Sequence, residues 1–431
     1  MASSRHFVLA FAFATTVSMW AVAYFCRLPA VMAPSWLALI LMLVTVALWG
    51  WLTGSRTGGG WLGGVWVGAV AAILNLLILG SLLVPAEGGG VMPSAVWWVP
   101  GSILVIALIA GGFAAFSKPG EVLLTASDST ALFSKVAVAA TFLLVVAGGL
   151  VTSNEAGLAV VDWPNSFGSN MFFFPLARMT GGIYYEHAHR LFGALVGLTT
   201  IALAIRLWRR DERTWLKRLA GAAVVLVILQ GILGGLRVTG GFTLSTSEAD
   251  MAPSIGLALL HGVLGQIFLT VMVAIAVVTS RLWFIAQDPE ARPYVKDDRN
   301  FQRWLIVILI VQLVLGAAQR HLSVLLIVHI SIATVVVLLA VMVGVRAWGL
   351  YRDSWPVERL GKLMVILTCI QVCLGIAALA VTQGLAKVGA PTTLEVTITT
   401  SHQATGAAIL ALSVVLALWT QRLFVQEGTV S

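Results

Sequence analysis

IGLALLHGVLGQIFLTVMVAIAVVTS, residues 255–280, contains no Asp, Glu, Lys or Arg and a single histidine, His261, near its start. An apolar run longer than about 18 residues can cross the hydrocarbon core of a bilayer as one helix. Runs of this kind recur along the whole chain of 431 residues, which is 59% hydrophobic and 10% charged. A soluble domain of that size would need a far more polar surface. The runs predict twelve spans, at about 7–25, 36–53, 62–84, 96–116, 131–151, 184–207, 217–236, 255–280, 303–318, 322–345, 361–382 and 397–420. The first resembles the apolar part of a signal peptide, but it is long and lacks a small-residue cleavage site, so it reads as a retained span.

The net charge of +8 is the Lys/Arg excess of loops on one side of a membrane, and it needs no nucleic acid to explain it. RLWRRDERTWLKR (206–218) separates the sixth and seventh spans, and Arg281, Arg292, Lys296, Arg299 and Arg303 follow the eighth. Arg346, Arg352, Arg359 and Lys362 follow the tenth, whereas 152–183 holds only Arg178. The basic loops are expected to be cytoplasmic, in a bacterial-type cytoplasmic membrane, with both termini inside. Cys26, Cys369 and Cys373 lie in or beside apolar runs, so no structural disulfide is expected. Cys369 and Cys373 share a helix face and read as small buried apolar residues rather than a metal pair.

The spans divide unevenly. Residues 1–120 hold four spans with almost no charge, and their one notable polar residue, Asn75, reads as a helix-packing contact. KPGEVLLTASDST (118–130) is the expected linker. Residues 121–431 hold eight spans and repeat internally. QGILG (230–234), QLVLG (312–316) and QVCLG (371–375) each open a helical hairpin whose second helix carries a histidine. Gln230 precedes His261, and Gln371 precedes His402, by the same 31 positions; Gln312 precedes His329 with a shorter loop. The fifth span ends GGLVT (148–152), which echoes GGLRVT (234–239) without the glutamine. Four hairpins can form two pseudo-symmetric four-helix bundles. The expected fold is therefore an all-α polytopic membrane protein: an eight-helix core of two such bundles plus four extra N-terminal helices. Its expected divisions are 1–120, an extra module; 121–254, the linker and start of the first bundle; 255–302, that bundle's last helix and a cytoplasmic loop; and 303–431, the second bundle.

Of seven histidines, His6 reads as solvated and His321 lies in the expected short loop QRHLS. His187 adjoins Glu186 but points about 100° away around the helix. The other four, His189, His261, His329 and His402, each lie six to eight residues into an expected span. That is a shared depth of roughly 10 Å at 1.5 Å per residue. One intramembrane histidine is as readily a packing residue as a ligand, but four at one depth in repeated positions point to function. Two per bundle suits two haems, each held by a pair of neutral imidazoles. Zinc fits poorly, because no cysteine or carboxylate is placed to complete tetrahedral sites. Glu186 lies three residues before His189 on the same helix face, and the other three histidines have no such carboxylate. It can orient the imidazole, or, beside a haem edge, move protons or stabilise positive charge.

GGLVTSNEAGLAVVDWPNSFG (148–168), EHAHR (186–190), QGILGGLRVT (230–239), LLHGVLGQ (259–266), QRHLSVLLIVHISIA (319–333) and SHQATGA (401–407) together resemble the haem A synthase family over about 130–420. That family oxidises the C8 methyl of haem O to a formyl group, giving haem A for cytochrome oxidase. The resemblance implies that His189 and His261 flank the substrate haem O, with Glu186 as the catalytic carboxylate. His329 and His402 would ligate a resident haem b that passes electrons. The candidate partners are an electron donor, haem O synthase and further copies of the chain. Two departures stand out. Some family members carry a cysteine pair in the first outer loop, and 152–183 has none. The family core has eight spans, and residues 1–120 are additional, an accessory module for assembly or partner contact. The aromatic residues of 152–183 (Trp163, Phe167, Phe172, Phe173, Phe174) read equally as a lid over a haem or as an interfacial belt. The rival functional classes are a dihaem b-type electron carrier without substrate chemistry and a transporter. The lone Glu186 distinguishes the first rival, and the second would need charges or broken helices at mid-depth.

Overall fold

A computed structural model describes residues 5–85, 87–120, 124–239, 254–286, 288–383 and 390–427. Its long helices are α1 (Arg5–Arg27), α2 (Ser35–Thr57), α3 (Gly60–Leu82), α4 (Ala95–Phe116), α5 (Ala126–Ser153), α6 (Gly181–Arg210), α7 (Thr214–Thr239) and α8 (Ile255–Val278). After the short α9 (Arg281–Ile285) come α10 (Val295–Leu322), α11 (Leu326–Leu350), α12 (Trp355–Gln383) and α13 (Thr393–Leu423). Among the described residues, twelve helices are long and apolar enough to cross a membrane, and the chain is a multi-pass membrane protein. Its outer surface is correspondingly apolar: Ile327, Val335 and Leu338 of α11 and Ile366 and Ile376 of α12 face outward. In a bilayer the backbone must satisfy itself within each helix, and side chains that would be buried in water-soluble folds can face lipid.

Helices α5, α6, α7 and α8 pack in sequence around a ring that closes with α8 on α5. Helices α10, α11, α12 and α13 do the same, closing with α13 on α10. The rings meet where α5 and α8 touch α13 and α8 touches α10. Each ring has its own apolar core; the first centres on Phe133, Leu195, Phe268 and Met272, the second on Leu305, Ala340, Met364 and Leu416.

Helices α1–α4 form a third group. Close approach sets its packing: a Cβ on Gly64 would lie 2.4 Å from the Ala110 carbonyl oxygen, and one on Gly50 at the same distance from that atom. Stripes of small residues allow such backbone contact between membrane helices. Asn75 joins α3 to α1, its Oδ1 accepting from Trp20 Nε1 at 3.0 Å, so it is a packing contact. Helix α1 also joins the core of the first ring, with Phe13 and Phe133 ring centres 5.2 Å apart. At the end of α6 away from His189, Arg206 bonds Ser129 and Thr130 of α5 at 2.8 and 2.9 Å and the His6 carbonyl at 3.1 Å. The backbone of His6 is thus a helix-joining group, while its side chain is half-buried.

Several local expectations need correction. His321 lies in the last turn of α10, not in a loop, because that helix continues past the apolar run at 303–318. Cys369 and Cys373 are exposed on α12 rather than buried; Cys26 is buried, and all three are free thiols. The segment 288–427 also includes a parallel pairing of two short strands absent from the expectations, Glu290–Arg292 with Phe424–Gln426.

Candidate functional site

In each of the four hairpins, α5–α6, α7–α8, α10–α11 and α12–α13, a glycine on the first helix faces the histidine of the second. A Cβ on Gly148 would lie 3.0 Å from Cε1 of His189, and one on Gly234 would lie 3.3 Å from Cε1 of His261. The corresponding distances are 3.1 Å for both Gly316 against His329 and Gly375 against His402. The order of approach is the same each time, with Cε1 nearest, then Nδ1, then Nε2. All four imidazoles therefore present the same edge to the backbone of their hairpin partner. Counted from helix starts, these histidines are ninth, seventh, fourth and tenth, so distance from the helix end does not equalise them. The repeated glycine contact does.

The glutamine of each repeat lies four residues before its glycine, one helical turn away. Gln312 donates to the backbone carbonyl of His329 at 3.0 Å, and its amide nitrogen lies 3.1 Å from Nδ1 of that ring. The Gln371 amide lies 3.5 Å from Nε2 of His402. With its amide oriented to satisfy its surroundings, Gln230 donates to the His261 carbonyl at 3.1 Å, lies 2.9 Å from its Nδ1, and accepts from the Gly265 backbone at 3.1 Å. The sequence spacing displayed these glutamines but not what they touch.

His189 and His261 come from α6 and α8, which lie across the first ring from one another. Their imidazole centres are 6.2 Å apart, with the planes at 84°. Two imidazoles on opposite sides of one metal, each nitrogen about 2 Å from it, bring their ring centres to about 6 Å. Among the described residues no three His, Cys, Asp or Glu side chains gather as a metal cage. A bare ion needs three or four protein donors, but an iron already held by a porphyrin needs only axial ligands. Two facing imidazoles at this spacing are a donor set that fits the iron of a haem. His329 and His402 occupy the matching diagonal of the second ring, on α11 and α13.

Glu186 is buried, and both its oxygens are engaged. Oε1 pairs with Arg190 Nη2 at 2.7 Å, and Oε2 accepts from the Val160 backbone at 2.9 Å. Arg190 donates further to the carbonyls of Val160, Asp162 and Asn165 at 2.9, 2.6 and 3.1 Å. This clasp ties the segment after α5 to α6. Inside it, buried Asp162 accepts from the backbones of Phe167 and Gly168 at 2.7 and 2.8 Å. Those two residues, at φ 51° and 75°, turn a small hairpin that pairs Asn165–Ser166 with Ser169–Asn170. A two-residue turn with both residues in the left-handed region suits the strand twist. His187 is wholly buried beneath it, with Nδ1 3.0 Å from Ser166 Oγ and its ring 5.0 Å from Phe174.

The aromatic residues divide. Phe174 is fully buried and Phe173 exposed. Trp163 packs on α7, where a Cβ on Gly235 would lie 2.2 Å from its indole. Gly235 follows Gly234, the residue that touches His261. The two rings are joined at the same level: Ser153 of α5 bonds Thr399 and Thr400 of α13 at 2.9 and 3.1 Å. Arg320 of α10 donates to the Thr152 carbonyl at 2.7 Å. Gly149 of α5 faces Gln403, the residue after His402, while its neighbour Gly148 faces His189.

Residues 131–329 match the family COX15-CtaA, described as cytochrome oxidase assembly protein. That stretch includes Glu186, His189, His261 and His329; His402 lies beyond it, and so do α1–α4. A curated relative, the Heme A synthase of Alkalihalophilus pseudofirmus, is 30% identical over 129 residues, which is 30% of this chain and 41% of the relative. The chain thus spans well under half the length of the curated relative it matches. Both findings support the haem A synthase family, to which the motifs pointed.

Proposed function

We propose that this protein, set beside the haem A synthases by its motifs and by the match over 131–329, is itself a haem A synthase. It oxidises the C8 methyl of haem O to a formyl group by successive hydroxylations and loss of water, and so makes haem A for cytochrome oxidase. The observation that carries this reading is the pair of diagonal imidazoles with ring centres 6.2 Å apart, a spacing that accepts a porphyrin iron between them.

His189 and His261 would hold the substrate haem O, and His329 and His402 a resident haem b, in a core of two pseudo-symmetric bundles. When bound, haem b supplies one-electron transfer toward the first site. Glu186 is the catalytic carboxylate. Arg190 and the Val160 N–H fix its orientation, so that it can offset positive charge developing at the substrate or take up its proton. Gly148 faces His189 and its neighbour Gly149 faces Gln403, next to His402, which supports an electron path across α5 between the two proposed haems. The basic loops, and with them both termini, lie on the cytoplasmic side.

The test is chemical. The full chain is expressed in cells that supply haem O, and the haems are extracted and separated. Haem A is the expected product. Recovery of haem b and unaltered haem O alone would overturn the enzyme reading in favour of an electron carrier.

A further inference from the structure

The first hairpin differs from the other three at one position. The residue four before its glycine is Leu144, where the others have Gln230, Gln312 and Gln371. A leucine side chain cannot hydrogen-bond an imidazole. Nδ1 of His189 and Nδ1 of His402 both lack a hydrogen-bond partner among the described residues, but Gln371 still approaches Nε2 of His402, and no glutamine stands at this place beside His189.

A second difference lies four residues after the histidine. In the second hairpin a Cβ on Gly265 would lie 3.7 Å from the Gln230 amide, and in the fourth a Cβ on Gly406 would lie 3.3 Å from Gln371. The glycine leaves a notch that the glutamine fills. The first hairpin keeps the glycine, Gly193, but a Cβ there would meet nothing within 4 Å. The notch is present and the glutamine that would fill it is not. In the third hairpin Ala333 stands at this place, and Gln312 bonds both the ring and the backbone of His329.

A side-chain amide offers both a donor and an acceptor, so it can hold either form of an imidazole and restrict its rotation. Hydrogen-bonded partners of this kind fix ligand orientation at metal sites. We propose that Gln230, Gln312 and Gln371 are positioning residues that lock their hairpin's histidine. His189, without such a lock and beside an open notch, is then the exchangeable ligand of the four. The inference rests on the haem reading above and deepens it. A resident haem is held by two locked imidazoles, whereas a substrate haem, which must enter and leave, is held by one locked imidazole, His261, and one released, His189.

Carbon monoxide is the probe. It binds ferrous haem by displacing a protein ligand, so it reports which haem has a labile one. In the purified, haem-loaded full chain reduced with dithionite, the expected result is a carbon monoxide spectrum for one haem only. Leu144→Gln is expected to slow that reaction at least tenfold. Gln312→Leu and Gln371→Leu are expected to make the other haem reactive and to shift its low-spin signal. Unchanged carbon monoxide binding in Leu144→Gln, together with a silent, unshifted haem in both glutamine variants, would overturn the inference and leave the haem reading standing. A wild-type chain without any low-spin haem signal would overturn that reading and the inference together.

Discussion

Glu186 carries two duties that one substitution can separate. Its oxygens hold Arg190 and the Val160 backbone, and the proposed chemistry uses its charge. Glu186→Gln keeps the volume and a carbonyl acceptor for Val160 while removing the charge. It is expected to abolish haem A formation and leave the haem b spectrum in place; normal turnover would remove Glu186 from the chemistry. Arg190→Gln tests the structural duty. It deletes an ion pair and bonds to three carbonyls, and breaking a buried pair from one side costs about 3–5 kcal/mol. A fall of several degrees in thermal unfolding in detergent is expected, larger than for Glu186→Gln. The sequence exposed Glu186 through its i, i+3 relation to His189. Its tie to Arg190 was equally legible at i, i+4, but the three carbonyls were not, because they belong to an irregular segment with no periodicity.

At the scale of the helix, the hairpin is the working unit, and its glycine is as specific as its histidine. Gly316 lies so close to His329 that a side chain there must displace the ring. Overpacking of this kind costs about 1–3 kcal/mol. Gly316→Val is therefore expected to lose or strongly shift the low-spin haem b signal. Gly197→Ala, on a stretch of α6 with nothing within 4 Å of its Cβ, is expected to leave that signal unchanged. The Gln-x-x-x-Gly spacing was readable, because residues four apart share a helix face. That the glycine receives the imidazole was not, since it depends on how two helices cross. Hydropathy likewise located the spans but not the helix ends. An apolar run marks what lipid demands, whereas α6, α10 and α13 extend beyond it, which is why His321 proved helical and why the helix-end count scatters.

At the scale of the molecule, α1 and α3, which precede the matched stretch, are also bound near the end that holds His189. Tyr24 of α1 stacks on Tyr184 of α6 with ring centres 5.7 Å apart, and its carbonyl accepts from the Tyr184 hydroxyl at 2.7 Å. Arg27 reaches the Leu176 carbonyl at 3.4 Å, and Ser81 of α3 donates to that of Phe172 at 3.3 Å. A Cβ on Gly80 would lie 2.5 Å from the same Phe172 oxygen. Gly80→Leu is expected to push α3 from this segment and to speed proteolysis within 154–180, while Gly101→Ala, with open space around it, should not. Nothing in residues 1–120 announced this attachment, because it ends on backbone carbonyls and on an aromatic stack that no periodicity marks. The division of the four histidines into unequal pairs is the central claim, and one measurement addresses it most directly: the low-temperature optical spectrum of four single variants, purified as full chains. His329→Ala and His402→Ala are predicted to lose the low-spin haem b band, and His189→Ala and His261→Ala to retain it. Loss of that band in His189→Ala, or its survival in His402→Ala, would contradict the account.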